Sequence, residues 1–278
     1  MLNSIYVDNI IKTALLEDIN YTDITTEYLI PEESENIARF ISRDEGILCG
    51  IDIALRVFKI LQNDIQITKY KRDGDKISKG DIIAEIKGKT HFILEGERTA
   101  LNFMQHMSGI ATATNRAVEL TRGTNVTITD TRKTIPGLRP LQKYAIKIGG
   151  GKNHRFNLSD IAMIKDNHSD AAGGIINSVI ELRKKIGNIT KIAVEVRNLD
   201  EFEQALSVKT DIIILRNMSP ENIKQAVEIA NGTAIIEAYG NINFDNIREI
   251  AETGVNFIGM GVLTDSVNAF DISLKIFG

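Results

Sequence analysis

Apolar positions recur along this chain in two rhythms, and the change between them divides it. The opening stretch MLNSIYVDNIIKTALLED spaces Ile10, Ile11, Ala14 and Leu15 at helical intervals, which predicts an amphipathic helix with one buried stripe. Up to about residue 115, strand and helix patterns mix without regular alternation, as expected of a separate N-terminal α+β domain. Within it, DGDKISKGDIIAEIKG (73–88) sets short β-branched runs between Gly-Asp turns and reads as a structural hairpin pair. From Glu95 to Leu120 the pattern turns helical, with Leu101, Met104, Gln105, Ser108, Thr112 and Asn115 on a half-polar face suited to lining a cleft.

From Asn125 the rhythm becomes regular. β-branched apolar runs at 126–131, 161–165, 191–196, 211–215, 234–239 and 257–262 alternate with helical segments, the signature of repeated βα units around a parallel sheet. Ser219 and Pro220 supply an N-cap and first-turn proline before Ile223, Ala226, Val227 and Ala230. Asn243 opens a further helix carrying Ile247, Ile250 and Ala251, which Gly254 closes. Six strands are too few for a closed eight-stranded barrel, so the pattern predicts an incomplete, open α/β barrel over 116–265. The last residues, about 266–278, are expected to return to the first domain, 1–115.

In such barrels the loops leaving the strands converge on one mouth, so chemistry is sought where each strand ends. Those ends read Thr131-Arg132-Lys133, Lys165-Asp166-Asn167-His168, Glu195 with Arg197, Arg216-Asn217, Glu237-Ala238-Tyr239-Gly240, and Gly261 with Thr264. Between Arg132 and Lys165 the chain gathers Arg132, Lys133, Arg139, Lys143, Lys147, Lys152, Arg155, Lys165 and His154 against Asp160 alone among acids. Arginine grips a carboxylate or phosphate through parallel hydrogen bonds, and lysine adds a mobile point charge, so a dicarboxylate or phosphorylated ligand suits the segment. Lys143, Lys147 and Lys152 also fit a solvated helix face. Arg132, His154, Arg155 and Lys165, at strand or loop ends, fit that reading poorly. The triplet Gly149-Gly150-Gly151 permits either backbone approach to an anion or a sharp turn. His91 and His106 read as ordinary surface or core residues, and His168 as either a loop-fixing residue or a ligand contact.

Composition narrows the classes. A net charge of −4 gives no general attraction to nucleic acid, so a cationic cluster needs a local cause. No apolar run approaches the roughly 18 residues that span a bilayer, and the opening lacks a basic region with a cleavage site, so neither membrane insertion nor secretion is expected. The single cysteine, Cys49, excludes an internal disulfide and a multi-thiolate metal site and agrees with a cytoplasmic location. HExxH, GxGxxG after a strand, and GxxxxGKS/T are all absent from the sequence, which argues against a dedicated metal site, a dinucleotide fold and a P-loop.

ITDTRKTIPGLRPLQKYAIKIGGGKNHRFNLSDIAMIKDNH resembles the signature of the quinolinate phosphoribosyltransferase family. LLEDINYTDITTEYLI, GILCGIDIALRVF, ERTALNFMQHMSGIATATNRAVEL and GVNFIGMGVLTDSVNAFDISLKI extend the likeness over nearly the whole chain. The resemblance implies an N-terminal α/β sandwich domain beside the incomplete barrel. It also implies a pentosyltransferase (nicotinate-nucleotide diphosphorylase, carboxylating) acting on quinolinate and phosphoribosyl pyrophosphate, with Mg2+ carried by the pyrophosphate and no organic cofactor. It further implies a homodimer in which Arg98 is lent across the interface. By position Arg132, His154, Arg155 and Lys165, with Thr131 beside them, would hold the two quinolinate carboxylates, and Lys133 would face the phosphoribosyl pyrophosphate. Glu195 would contact ribose hydroxyls, giving Lys133 and Glu195 the catalytic roles, and Gly240 and Gly261 would lie near the 5′-phosphate.

The sugar-phosphate half departs from the family pattern. Arg216 stands where the family reads Leu-Asp-Asn and would meet phosphate directly, Ala193 replaces the first acid of its Glu-Val-Glu-Val strand, and Arg197 stands where another acid is common. Tyr239 and Asn241 replace residues of its Ser-Gly-Gly phosphate loop, and Asp265 a frequent histidine. Two alternatives therefore stand beside the transferase: a paralogue with another donor or acceptor, and a non-catalytic binder of pyridine carboxylates.

Overall fold

The structure, a computed structural model, describes residues 2–277. Backbone contacts divide the chain into two compact units, one of Met1–Asn115, Ile135–Gly150 and Val267–Gly278, the other of Arg116–Thr134 and Gly151–Ser266.

The first unit opens with α1 (Ser4–Asp18), which begins where the Asn3 side chain accepts the Ile5 and Tyr6 N–H groups and buries Ile11 and Leu15 from the expected stripe. There follow α2 (Ile24–Leu29), β1 (Glu35–Ser42), β2 (Gly46–Ile47), α3 (Ile51–Leu61), β3 (Gln66–Lys69), β4 (Lys76–Ile77), β5 (Ile82–Lys89) and α4 (Thr90–Leu120), the last running on into the second unit. The 73–88 stretch does not form the hairpin pair its spacing suggested. β4 pairs antiparallel with β2, and β5 with β1 and β3, so the two runs enter different sheets. Nor does the half-polar face of α4 line a cleft. Ser108 accepts the Cys49 N–H and donates to the Cys49 carbonyl, Thr112 accepts the Ile47 N–H, and Gln105 donates to the Ile272 carbonyl. Its polar groups satisfy backbone that the fold has buried.

The second unit holds β6 (Thr127–Thr129), after which α5 (Arg139–Ile148) belongs with the first unit. It continues through β7 (Ala162–Ile164), α6 (Asp166–Ala171), α7 (Ile175–Arg183), β8 (Ile192–Val196), α8 (Leu199–Ser207), β9 (Ile212–Arg216), α9 (Pro220–Ala230), β10 (Ile235–Tyr239), α10 (Ile247–Glu252), β11 (Phe257–Gly259) and α11 (Val262–Asp265). Its six strands pair in the order β6-β11-β10-β9-β8-β7, parallel throughout, and β6 and β7 remain edges, so the barrel is open as expected. Every residue of β8 is buried, as a central parallel strand covered on both faces requires. Ser219 caps α9 as read from sequence. Asn243 instead forms a turn that accepts the Asp245 and Asn246 N–H groups, and α10 starts at Ile247. The final strand, β12 (Ile272–Phe277), pairs antiparallel with β1 and completes the first unit's four-stranded sheet, β12-β1-β5-β3.

On α5, Lys143 is buried, so it is not part of a solvated face, whereas Lys147 is exposed, as is Lys152 after the helix. Gly149 packs where a Cβ would lie 2.4 Å from the Ala111 carbonyl oxygen, and Gly150 takes φ +96°. The triplet thus serves close packing and a helix-ending turn. Among the described residues no helix is long and apolar enough to cross a membrane.

Candidate active site

The parallel sheet sets the site by register. Glu195 on β8, Ile214 on β9 and Glu237 on β10 stand in one row across three neighbouring strands, and all three face a cavity of about 240 Å³. Around it stand Thr131, Arg132 and Lys133 after β6, His154 and Arg155, Met163 and Lys165 at the end of β7, and Tyr239. Every one of these groups belongs to the second unit. The volume lies below the roughly 300–1,000 Å³ of pockets for drug-sized ligands and suits a molecule of one ring.

A buried carboxylate that the reading of the sequence passed over anchors the cationic wall. Asp130, fully buried one residue past β6, accepts the His154 backbone N–H at 2.8 Å and the Asn153 side-chain amide at 2.6 Å, which fixes the loop carrying Arg155. The Arg155 N–H then donates to His154 Nδ1 at 2.7 Å, so that nitrogen carries no proton and the ring's own N–H is at Nε2, which lies 3.3 Å from Glu237 Oε2. His154 therefore lines the cavity with both ring nitrogens engaged.

Arg132, Arg155 and Lys165 differ from it. None of these three side chains makes a hydrogen bond or ion pair with a described residue, and Arg132 Nε is buried without a partner. Burial, followed by the like charge of Arg132, pulls the Arg155 guanidinium below its ordinary range, with Asp160 opposing. The buried Arg132 Nε is costly to leave unsatisfied, and with Arg155 and Lys165 beside it the wall suits an anion.

Arg216 is in the contrary position. Its Nη1 donates to Asp166 Oδ2 at 2.8 Å and Glu195 Oε1 at 3.0 Å. The Asn167 N–H, and then Arg216, hold the Asp166 carboxyl below the usual carboxylate range. His168 proves to be the loop-fixing alternative: its Nδ1 accepts the Lys165 N–H at 3.2 Å. Arg197 is exposed and taken up by Glu201 and Asp170.

At the other end of the mouth, Lys133 Nζ lies 3.9 Å from Asp265 and 5.9 Å from the Tyr239 ring centroid, while Thr131 Oγ1 accepts the Lys133 N–H. Gly240 and Asn241 take consecutive left-handed conformations at φ +92° and +50°, and a Cβ on Gly240 would sit 2.2 Å from Asn217 Oδ1. A Cβ on Gly261 would press on the Lys133 side chain at 3.0 Å. Arg98 is exposed on α4 within the first unit. Among the described residues no group of three or more histidine, cysteine or acidic side chains could hold a metal ion, and Glu195 and Asp166 are already shared by Arg216.

An open parallel sheet whose C-terminal mouth carries cations without partners among the described residues forms an α/β cavity suited to a small polyanion. The models of the quinolinate phosphoribosyl transferase N-terminal and C-terminal domains match residues 23–108 and 110–275. The chain is 37% identical to the probable nicotinate-nucleotide pyrophosphorylase (carboxylating) of Bacillus subtilis, over 99% of this chain and 95% of that protein. It is 42% identical to the protein of the same description from Methanocaldococcus jannaschii, over 98% and 97%. The solved structure of the Francisella tularensis nicotinate-nucleotide pyrophosphorylase superposes with a TM-score of 0.96 at 43% identity, covering 100% of this chain and 98% of that one. The chain belongs to the quinolinate phosphoribosyltransferase family, a family of pentosyltransferases.

Proposed function

We propose that the cavity binds quinolinate and that the enzyme joins its ring nitrogen to C1 of the ribose of phosphoribosyl pyrophosphate, yielding nicotinate mononucleotide, pyrophosphate and carbon dioxide for NAD biosynthesis. The observation that carries this reading is the pairing on a one-ring cavity of Arg132, whose Nε is buried without a partner among the described residues, with a second guanidinium, Arg155, that feels its like charge. Arg132, Arg155 and Lys165 grip the two carboxylates, and His154 and Thr131 shape the wall beside them. Anchored this way, the ring nitrogen is held toward the sugar, which removes much of the entropic part of the barrier.

Lys133, beside Tyr239, Gly261 and Gly240-Asn241, faces the sugar-phosphate side. The left-handed backbone there lets the chain approach a 5′-phosphate without side chains intervening. Glu195 meets ribose hydroxyls while Arg216 neutralises it and turns its remaining guanidinium edge toward phosphate. Magnesium enters as part of the pyrophosphate substrate, where it withdraws charge from the leaving group. The barrel mouth is completed in a homodimer by Arg98 from a second copy, and the reaction runs in the cytoplasm, in keeping with a lone, reduced Cys49.

The test is direct. Purified protein with quinolinate, phosphoribosyl pyrophosphate and Mg2+ is expected to release nicotinate mononucleotide and carbon dioxide in equal amounts. Quinolinate binding without product would favour the non-catalytic binder, and failure to bind either substrate would favour a paralogue with other ligands.

A further inference from the structure

Two carboxylates line the cavity floor, and they are not equivalent. Glu195 and Glu237, 6% and 5% exposed, stand in the same cross-strand row with Ile214 between them, two strand spacings or ~10 Å apart along the sheet. Glu195 is ion-paired with Arg216, whereas Glu237, among the described residues, is paired with the His154 ring alone, whose Nδ1 is occupied by the Arg155 N–H and which is therefore a donor without net charge in this tautomer. Glu237 thus brings a carboxylate with no Arg or Lys ion-pair partner among the described residues into a cavity lined mainly by cations. Nothing in the binding of a dianion requires it, since it opposes that binding. Its place is nonetheless enforced by the fold: Glu237 Oε1 lies over Gly259 on the adjacent strand, where a Cβ would come within 2.6 Å of it.

We propose that Glu237 is a further catalytic residue, the carboxylate that stabilises positive charge as it passes from the ribose to the ring nitrogen. This rests on the transferase reading given above. As the nitrogen lone pair forms the N–C1 bond, the C1–O bond breaks and its electron pair leaves on pyrophosphate. The ring, which arrived as a dianion with a neutral nitrogen, now carries a quaternary nitrogen. The bond from the ring to the adjacent carboxylate then breaks, carbon dioxide departs, the electron pair stays on the ring carbon and a proton from water fills it. Positive charge exists at C1 and at the nitrogen only from the transition state onward, so a fixed carboxylate there favours the transition state over the bound substrates. Glu195, already matched by Arg216, contributes far less of this field.

The assay is Glu237→Gln in the full chain, with quinolinate affinity read by calorimetry and turnover by nicotinate mononucleotide release. The expected result is a split: kcat falls by about 100-fold, while quinolinate binds as tightly as before or tighter, because a repulsive charge has gone. A structural role would weaken both together. Gly259→Ala, which displaces the carboxylate and keeps its charge, is expected to lower kcat by about tenfold without tightening quinolinate, and it decides the matter if Glu237→Gln does not fold. The inference is overturned if the folded variants keep kcat within about threefold of wild type, or if Glu237→Gln weakens quinolinate binding and spares kcat. A wild-type protein that makes no product would instead remove the proposed function, and this inference with it.

Discussion

Arg132 and Arg216 are the same residue type at the same end of the same sheet, and their surroundings are opposite. Arg132 stands beside another guanidinium with a buried Nε that no described residue satisfies, whereas Arg216 sits between two carboxylates. A charge the protein has already balanced is scaffold first, and a charge left unbalanced marks the place where a ligand completes the structure. This separates the two halves of the cavity more sharply than residue type could.

The largest effect that would break the comparison is on binding. Arg132→Ala is expected to cost about 2–5 kcal/mol of quinolinate affinity by calorimetric titration, because a buried carboxylate loses a charge-assisted pair, and to leave folding stability almost unchanged. Arg216→Ala should do the reverse. Glu195 would remain buried and charged without its partner, lowering unfolding free energy by about 1 kcal/mol in urea, with Arg216's partial exposure holding the figure at the low end. Equal losses of affinity in the two variants would erase the distinction.

The smallest effect sharpens it through pH. The folded-state pKa of Asp166 is depressed, by the Asn167 N–H first and Arg216 after it, so its contribution to stability is fully present above the unfolded carboxylate value, about 3.9, and is lost as pH falls through the folded one. Acid unfolding of Arg216→Ala, followed by circular dichroism, should therefore begin at a higher pH than in wild type. High salt should narrow the gap, since Asp166 is exposed to solvent screening.

Much of the second unit was legible because parallel strands buried on both faces print themselves as β-branched runs: five of the six have both ends within two residues of where the pattern put them, and the sixth, β11, ends three residues early. Reading the strand ends also brought Thr131, Arg132, Lys133, Lys165, Glu195, Glu237 and Tyr239 to one cavity. What escaped were relations between distant parts. Local spacing cannot say that β4 joins β2 rather than β5, nor that the polar face of α4 satisfies buried backbone at residues 47–49. Lys143, grouped with Lys147 and Lys152 as a solvated helix face, is instead buried along with Gln142. Asp130 was within reach: it lies between β6 and the cation cluster, and a lone acid there is the natural anchor for the loop opposite. The neutralisation of Arg216 was not legible, because Asp166, at the start of α6, and Glu195, on β8, come from two other elements.

The central claim is that unmatched positive charge selects a pyridine with two carboxylates. Calorimetric titration of the wild-type protein with quinolinate and, separately, with nicotinate, which carries one carboxylate on the same ring, tests it most directly. Quinolinate is expected to bind more tightly by about 1.5–3 kcal/mol, the worth of one more charge-assisted hydrogen-bonded pair, and added salt should reduce the difference. Equal affinities for the two acids would contradict the account.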